Sequence, residues 1–182
     1  MQSLNTEILA QSEAPAAAAG DAAERAAATE PAPLITHLKK ILVPLDFSET
    51  SLKALRYAVP FALQFGAKIT LAHIVRPPLY NSEGLYPEPF APENLVAMKE
   101  DLLGIRNAKI PADVPVEIIV RYGHAFEDIL TIAREIRSDL IIATTHGYTG
   151  IRHLLLGSTA ENVVRRAPCP VLVVREIEHD FV

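Results

Sequence analysis

Asp139-Leu-Ile-Ile-Ala-Thr-Thr-His-Gly-Tyr-Thr-Gly-Ile-Arg-His-Leu-Leu-Leu-Gly-Ser158 is the stretch whose reading decides the fold. Its first part, Asp139 to Thr144, is short, apolar and bounded by turn-prone residues, as in a parallel strand covered on both faces. The pattern breaks at Thr145-His146-Gly147. Gly147 and Gly150 admit backbone conformations that a side chain forbids. Gly157-Ser158-Thr159 then sets a glycine and two hydroxyls just ahead of a short amphipathic helix, Ala160 to Arg166. The first N–H groups of a helix have no partner within it, and the macrodipole makes that end positive. Such a junction can hold a phosphate without a lysine. The plainer reading is a structural loop in which Ser158 only caps the helix.

Outward from that stretch, Lys40-Ile-Leu-Val-Pro-Leu45 predicts the first strand. Asp46-Phe-Ser48 turns it into a helix beginning near Glu49, with Ser48 as N-cap and Leu52, Leu55, Val59 and Ala62 recurring at helical spacing. Pro60 removes an N–H and crowds the carbonyl of Arg56, which predicts a kink, and Gly66 ends the helix. Ala67 to Val75 is the second strand, stopped by Pro77-Pro78. The segment from Arg76 to about Ala91 carries Tyr80, Tyr86 and Phe90. It reads either as a variable surface excursion or as an aromatic flap beside a ligand site.

Leu95, Met98, Leu102 and Ile105 mark a second helix that ends around Asn107. Val116, Ile118 and Val120 alternate with Glu117, Ile119 and Arg121 after Pro115, which suits an edge strand. Phe126, Ile129, Leu130, Ala133 and Ile136 form the buried stripe of a third helix, leaving Glu127, Asp128, Arg134 and Arg137 on a solvated face. Pro170 to Arg175 reads as the last strand. Five strands alternating with four helices argue for an α/β domain with a parallel sheet and right-handed crossovers. Periodicity does not give the strand order.

At 182 residues and 49% hydrophobic content the chain can bury one sizeable core, and one domain is expected. Residues 1–36 hold twelve alanines with scattered Glu7, Glu13, Asp21, Glu24 and Glu30 and no core-facing stripe. They read as a mobile Ala-rich tail ahead of a domain at 37–182. A net charge of −5 offers no positive field for nucleic acid or acidic lipid, so neither nucleic acid nor membrane is an expected partner. A single cysteine, Cys169, with no transmembrane stretch or signal peptide in the reading, points to the cytoplasm. Between Pro168 and Pro170, that thiol reads as a packed residue rather than a nucleophile.

Thr145 to Glu161, followed by Ala167-Pro-Cys-Pro-Val-Leu-Val-Val174, resembles the C-terminal signature of the universal stress protein family. The resemblance runs from about Lys40 to Arg175. Nucleotide-binding members carry a glycine, two residues, a glycine, nine residues, then glycine and serine or threonine. Gly147, the stretch Tyr148 to Leu156, and Gly157-Ser158 match the later part, while Thr144 stands at the first glycine position. The resemblance implies a five-stranded sheet in the order 3-2-1-4-5, whose order reverses between strands one and four. Ligands of such sheets lie beyond the carboxyl ends of the strands at that reversal.

The resemblance also implies that Pro44, Leu45 and Asp46 wall and contact a nucleoside, that Ile69 lines the base pocket, and that the ligand is ATP or AMP, with or without Mg. Thr144, His146, Gly147, Gly157, Ser158 and Thr159 would surround the phosphates. It implies a homodimer through the fifth strand as well. Read from the residues alone, Asp46 is first of all a turn residue, Ile69 is equally a core residue, and His146 is either a phosphate contact or a packed side chain.

Neither a Walker A loop nor a Gly-x-Gly-x-x-Gly fingerprint occurs. His73, His124, His146 and His153 lack a zinc-ligand spacing, and Arg152, Arg165 and Arg166 read as surface charges. Two functions remain: a stress-response regulator that holds a nucleotide with little or no turnover, or a protein-interaction module of the same fold without bound nucleotide. An ATP hydrolase or kinase would need a cation, a metal ligand and an oriented base that the motif does not supply.

Overall fold

Ile41, Leu42 and Val43 are fully buried in β1 (Lys40–Pro44), the middle strand of a five-stranded sheet in the computed structural model. Residues 37–77, 92–145 and 157–175 are described. The other strands are β2 (Lys68–Val75), β3 (Val116–Tyr122), β4 (Leu140–Thr144) and β5 (Val171–Val174). All neighbours pair in parallel, and the order is β3-β2-β1-β4-β5, as the family resemblance implied.

Between the strands run α1 (Glu49–Leu52), α2 (Leu55–Phe65), α3 (Pro92–Lys109), α4 (Ala125–Glu135) and α5 (Ser158–Arg166). Strand alternation divides the core in two. Ile41, Val43, Ile69 and Leu71 pack with Leu55, Ala58 and Ala62 of α2 and Leu102 of α3. Leu42, Ala72, Ile141 and Ala143 pack with Ile129, Leu130 and Ala133 of α4 and Val163 of α5. Helices therefore cover both faces. Each of the Leu, Ile and Val side chains contributes about 1.5–3 kcal/mol by leaving water. No described helix is long and apolar enough to cross a membrane.

The two sheet edges differ. β3 is half-buried along its whole length and carries ion pairs at both ends, Glu117 to Lys68 at 2.6 Å and Arg121 to Glu135 at 2.7 Å. β5 presents half-buried Val171, Leu172 and Val173, with β4 as its one partner strand in the sheet.

The single helix expected after β1 is two. Ser48 caps α1 by accepting from the Ser51 amide at 3.0 Å. The Ser51 hydroxyl then donates back to the Ser48 carbonyl at 2.9 Å, a bond that competes with the helical ladder. The chain tightens into three-residue closures, Lys53 to Thr50 (3.0 Å), Ala54 to Ser51 (3.2 Å) and Arg56 to Lys53 (3.0 Å), before α2 begins. Pro60 lies inside α2, so the interruption falls ahead of the proline rather than at it. Gly66 closes α2 in the left-handed region at φ 60° and ψ 43°.

Asp128 departs from the solvated face assigned to it. Its Oδ2 accepts the His124 amide at 2.8 Å and so satisfies an orphan donor at the start of α4. A Cβ on Gly123 would run into that carboxylate. At the opposite end of the sheet, Asp139 Oδ2 accepts the amides of Lys39 (2.8 Å) and Lys40 (2.9 Å), tying the starts of β1 and β4 together.

Candidate functional site

The carboxyl end of β1 is held from three directions. The Leu45 amide extends the pairing with β2 by donating to the Ala72 carbonyl at 2.8 Å, and Leu45 is buried. Asp46 then leaves the sheet. Its Oδ1 accepts the Ser48 amide at 3.1 Å and the Ser48 hydroxyl at 2.6 Å, which wraps residues 46–48 into a side-chain-closed turn. The Asp46 amide donates to Ser51 Oγ at 3.3 Å. Phe47, between them, has φ 65°, an uncommon conformation for an aromatic residue.

The carboxyl end of β4 meets the start of α5. Thr144 is level with Val174 of β5, and the buried Thr145 donates its amide to the Val174 carbonyl at 3.0 Å. The Thr145 carbonyl in turn accepts the Gly157 amide at 2.8 Å. Gly157, with φ −64° and ψ 149°, is the N-cap, and among the described residues no side chain caps the helix. Ser158 is thus the first helical residue and not the cap, because the strand-to-helix contact is already made by the Gly157 backbone. Ser158 is exposed and Thr159 half-buried.

The two ends lie at the same end of the sheet. β1 pairs with β4 only at Ile41↔Leu140 and Leu42↔Ile141, whereas its pairing with β2 runs to Pro44↔Ala72 and that of β4 with β5 to Thr144↔Val174. Continued in the same register, Leu45 stands level with Thr144 and Asp46 with Thr145. The structure therefore brings Pro44, Leu45, Asp46, Thr144, Gly157, Ser158 and Thr159 to one end of the sheet. His146 and Gly147 lie outside the described residues, as does most of the proline-rich segment after β2.

Ile69 does not join them. It pairs with Ile41 near the start of β2 and is fully buried in the core, so its assignment to a base pocket is corrected. Two places beyond Ala72↔Pro44, the residue of β2 level with Asp46 is Ile74, about 16 Å further along the strand at roughly 3.3 Å per residue. Ile74 is half-buried. Periodicity could not separate the two isoleucines, since both sit in one apolar run; register does.

His73, set aside in the sequence reading as a poor zinc ligand, lies at the same end. Its Nδ1 is 2.7 Å from the Leu45 carbonyl and its ring 4.5 Å from that of Phe47. Among the described residues no group of three His, Cys, Asp or Glu side chains is placed to hold a metal ion. Arg165 pairs with Glu161 at 3.0 Å and Arg166 lies 5.8 Å over the Phe126 ring. Both are in the last turn of α5, about 11 Å along the axis from its start. Burial pushes the Cys169 thiol pKa up, against a hydrogen bond with Ser138, which keeps it protonated and poorly nucleophilic.

Residues 37–175 match the family model described as the universal stress protein family. The chain belongs to that family. Universal stress protein MJ0531 of Methanocaldococcus jannaschii is 32% identical over 144 residues, covering 76% of this chain and 82% of that protein. Universal stress protein YxiE of Bacillus subtilis is 32% identical over 145 residues, covering 75% and 98%. The solved structure of the hypothetical protein MJ0577 superimposes with a TM-score of 0.64 at 32% identity, covering 78% of this chain and 99% of that one. The fold is shared by a universal stress protein solved in complex with cAMP (TM-score 0.56, 24% identity, 76% and 97% covered). It is shared also by an Arabidopsis thaliana family protein with AMP bound (TM-score 0.50, 19% identity, 75% and 91% covered).

Proposed function

We propose that this universal stress protein is a regulator that holds an adenine nucleotide, ATP or AMP, at the β1/β4 crevice with little or no turnover. One observation carries the reading: the β1–β4 ladder ends at Leu42↔Ile141, and beyond it the Asp46 carboxylate and the start of α5 come to the same end of the sheet. Ligands of doubly wound sheets lie at such a reversal of strand order. The adenine nucleotides carried by the two fold-sharing proteins named above favour the same class of ligand.

In this reading Asp46 and the Pro44–Leu45 backbone recognise the nucleoside, and Ile74 takes the wall position first given to Ile69. The amides at Ser158 and Thr159, with their hydroxyls, receive the phosphates together with His146 and Gly147. Mg, where present, would ride on the phosphates. The Asp46 carboxylate is assigned to recognition and not to proton transfer, which is why slow turnover is proposed. The domain is residues 37–182 behind the tail 1–36, the location cytoplasmic, and the assembly a homodimer through β5.

Thr144 at the first glycine position favours the second reading, a protein-interaction module without nucleotide. The two separate on one experiment. Freshly purified protein is denatured and the supernatant analysed by mass spectrometry, and the emptied protein is then titrated with ATP and AMP by calorimetry. Released adenine nucleotide, or a saturable heat, is expected; neither appearing would leave the interaction module.

A further inference from the structure

We infer that His73 is a positioning residue: through its bond to the Leu45 carbonyl and its contact with Phe47, it sets from β2 the geometry in which β1 delivers Asp46 to the crevice. The inference rests on the nucleotide reading for its functional meaning, but its structural part stands apart from it.

A carbonyl oxygen can only accept, so the 2.7 Å approach assigns the proton to His73 Nδ1 as donor. The bond reaches across from β2 to the residue immediately before Asp46, where the paired ladder of β1 has already ended at Pro44↔Ala72. The Leu45 amide is fixed on Ala72 at 2.8 Å, so both faces of that residue's backbone are anchored on β2. The next restraint is on Phe47. At φ 65° it occupies a conformation that costs a bulky residue energy, and the His73 ring stands 4.5 Å from its own at a 52° tilt. Asp46 is therefore bracketed by two residues that a single side chain of the neighbouring strand holds. Asp46, Ser48 and Ser51 close the turn among themselves, but those bonds move with the turn and do not tie it to the sheet. His73 adds a side-chain tie from the sheet beside that of the Leu45 amide on Ala72.

The test compares full-length wild type with His73→Leu, which keeps bulk and removes the donor, and His73→Asn, whose side-chain NH2 can stand where Nδ1–H does. Amide hydrogen exchange of the 45–51 segment, read by mass spectrometry without ligand, reports the positioning directly. Exchange should rise about 5- to 10-fold in His73→Leu, the loss of one hydrogen bond, and fall back toward wild type in His73→Asn. Adenosine affinity should weaken by a similar factor in His73→Leu and recover in His73→Asn. Unchanged exchange in a folded His73→Leu variant overturns the inference, as does His73→Asn behaving like His73→Leu. If exchange follows the expected pattern while wild type binds neither adenosine nor ATP, the positioning role stands and the nucleotide reading fails.

Discussion

The Gly157 amide donates to the Thr145 carbonyl at 2.8 Å, and the same oxygen would stand 2.7 Å from a Cβ at position 157. Glycine is needed there to join β4 to α5 whether or not a phosphate ever approaches. Gly157→Ala should cost about 1–3 kcal/mol, the usual penalty of overpacking, and lower the melting temperature of nucleotide-free protein. Ser158→Pro is the cleaner probe of the phosphate role. Proline is favoured at the first helical position, and the extended Gly157 backbone tolerates a following proline. That variant should keep the wild-type melting temperature, lose one amide donor, and bind ATP more weakly while adenosine is unaffected. Equal losses for the two ligands would place the phosphates elsewhere.

Asp46 has a structural duty besides the proposed recognition, since Ser48 leans on its Oδ1. Asp46→Asn keeps an acceptor for that turn and removes the charge. It should fold normally and weaken adenosine and ATP alike by about tenfold, near 1.4 kcal/mol. Asp46→Ala should add a drop in stability. Calorimetric titration with both ligands decides; a loss confined to ATP would contradict the nucleoside assignment.

The β5 edge leads to an assembly prediction. Val173 is half-buried on a strand with one side paired to β4, and a two-fold axis would let identical β5 strands pair. Val173→Lys should set a charge against its symmetry mate and shift the protein to monomer. Sedimentation at matched concentrations is the measurement, and a wild-type monomer or an equally tight variant dimer defeats the interface.

Arg121 and Glu135 join β3 to α4 in two bonds, Nη2 to Oε2 at 2.7 Å and Nη1 to Oε1 at 3.3 Å. The hydrogen bond from Arg121 holds the Glu135 carboxyl below its ordinary pKa. A depressed carboxylate pKa contributes stability above the unfolded value and loses it as pH falls through the folded one. Wild type should thus melt higher than Glu135→Gln at neutral pH, with the gap closing as pH falls from the ordinary carboxylate value through the lowered folded one. Both side chains face solvent, so the gap should also shrink with salt. A pH-independent gap would assign the difference to packing.

Much of the architecture is legible in single residues. Short apolar runs mark β1, β2 and β4, Ser48 and Gly66 bracket the first helical segment, and the alternation after Pro115 marks an edge. Strand order came from family resemblance, because period-2 alternation says which face a residue occupies and nothing about its neighbour strand. The break after Leu52 escaped detection because it depends on the Ser51 hydroxyl competing for the Ser48 carbonyl, a contest that helix propensity does not register. Asp128 looks like a surface charge in the helical pattern because the His124 amide it accepts is a backbone group that side-chain periodicity does not show. Ile69 and Ile74 are alike in composition and differ in height along the strand, which register alone supplies. His73 was legible only in part: its place at the carboxyl end of β2 was visible, but the carbonyl it binds arrives from another strand.

The pairing of β1 with β4 through Ile41↔Leu140 and Leu42↔Ile141 alone makes the middle of the sheet its thinnest seam. On one side stand β3, β2 and β1, on the other β4 and β5; Asp139 bolts the halves together at their amino ends through the Lys39 and Lys40 amides, and the two cores pack across the seam on both faces. At the carboxyl end, Asp46 and the start of α5 lie beyond the point where that ladder stops. A ligand of the proposed kind would touch both, and its binding energy would then add to the cohesion of the sheet at the end where the β1–β4 ladder has already stopped.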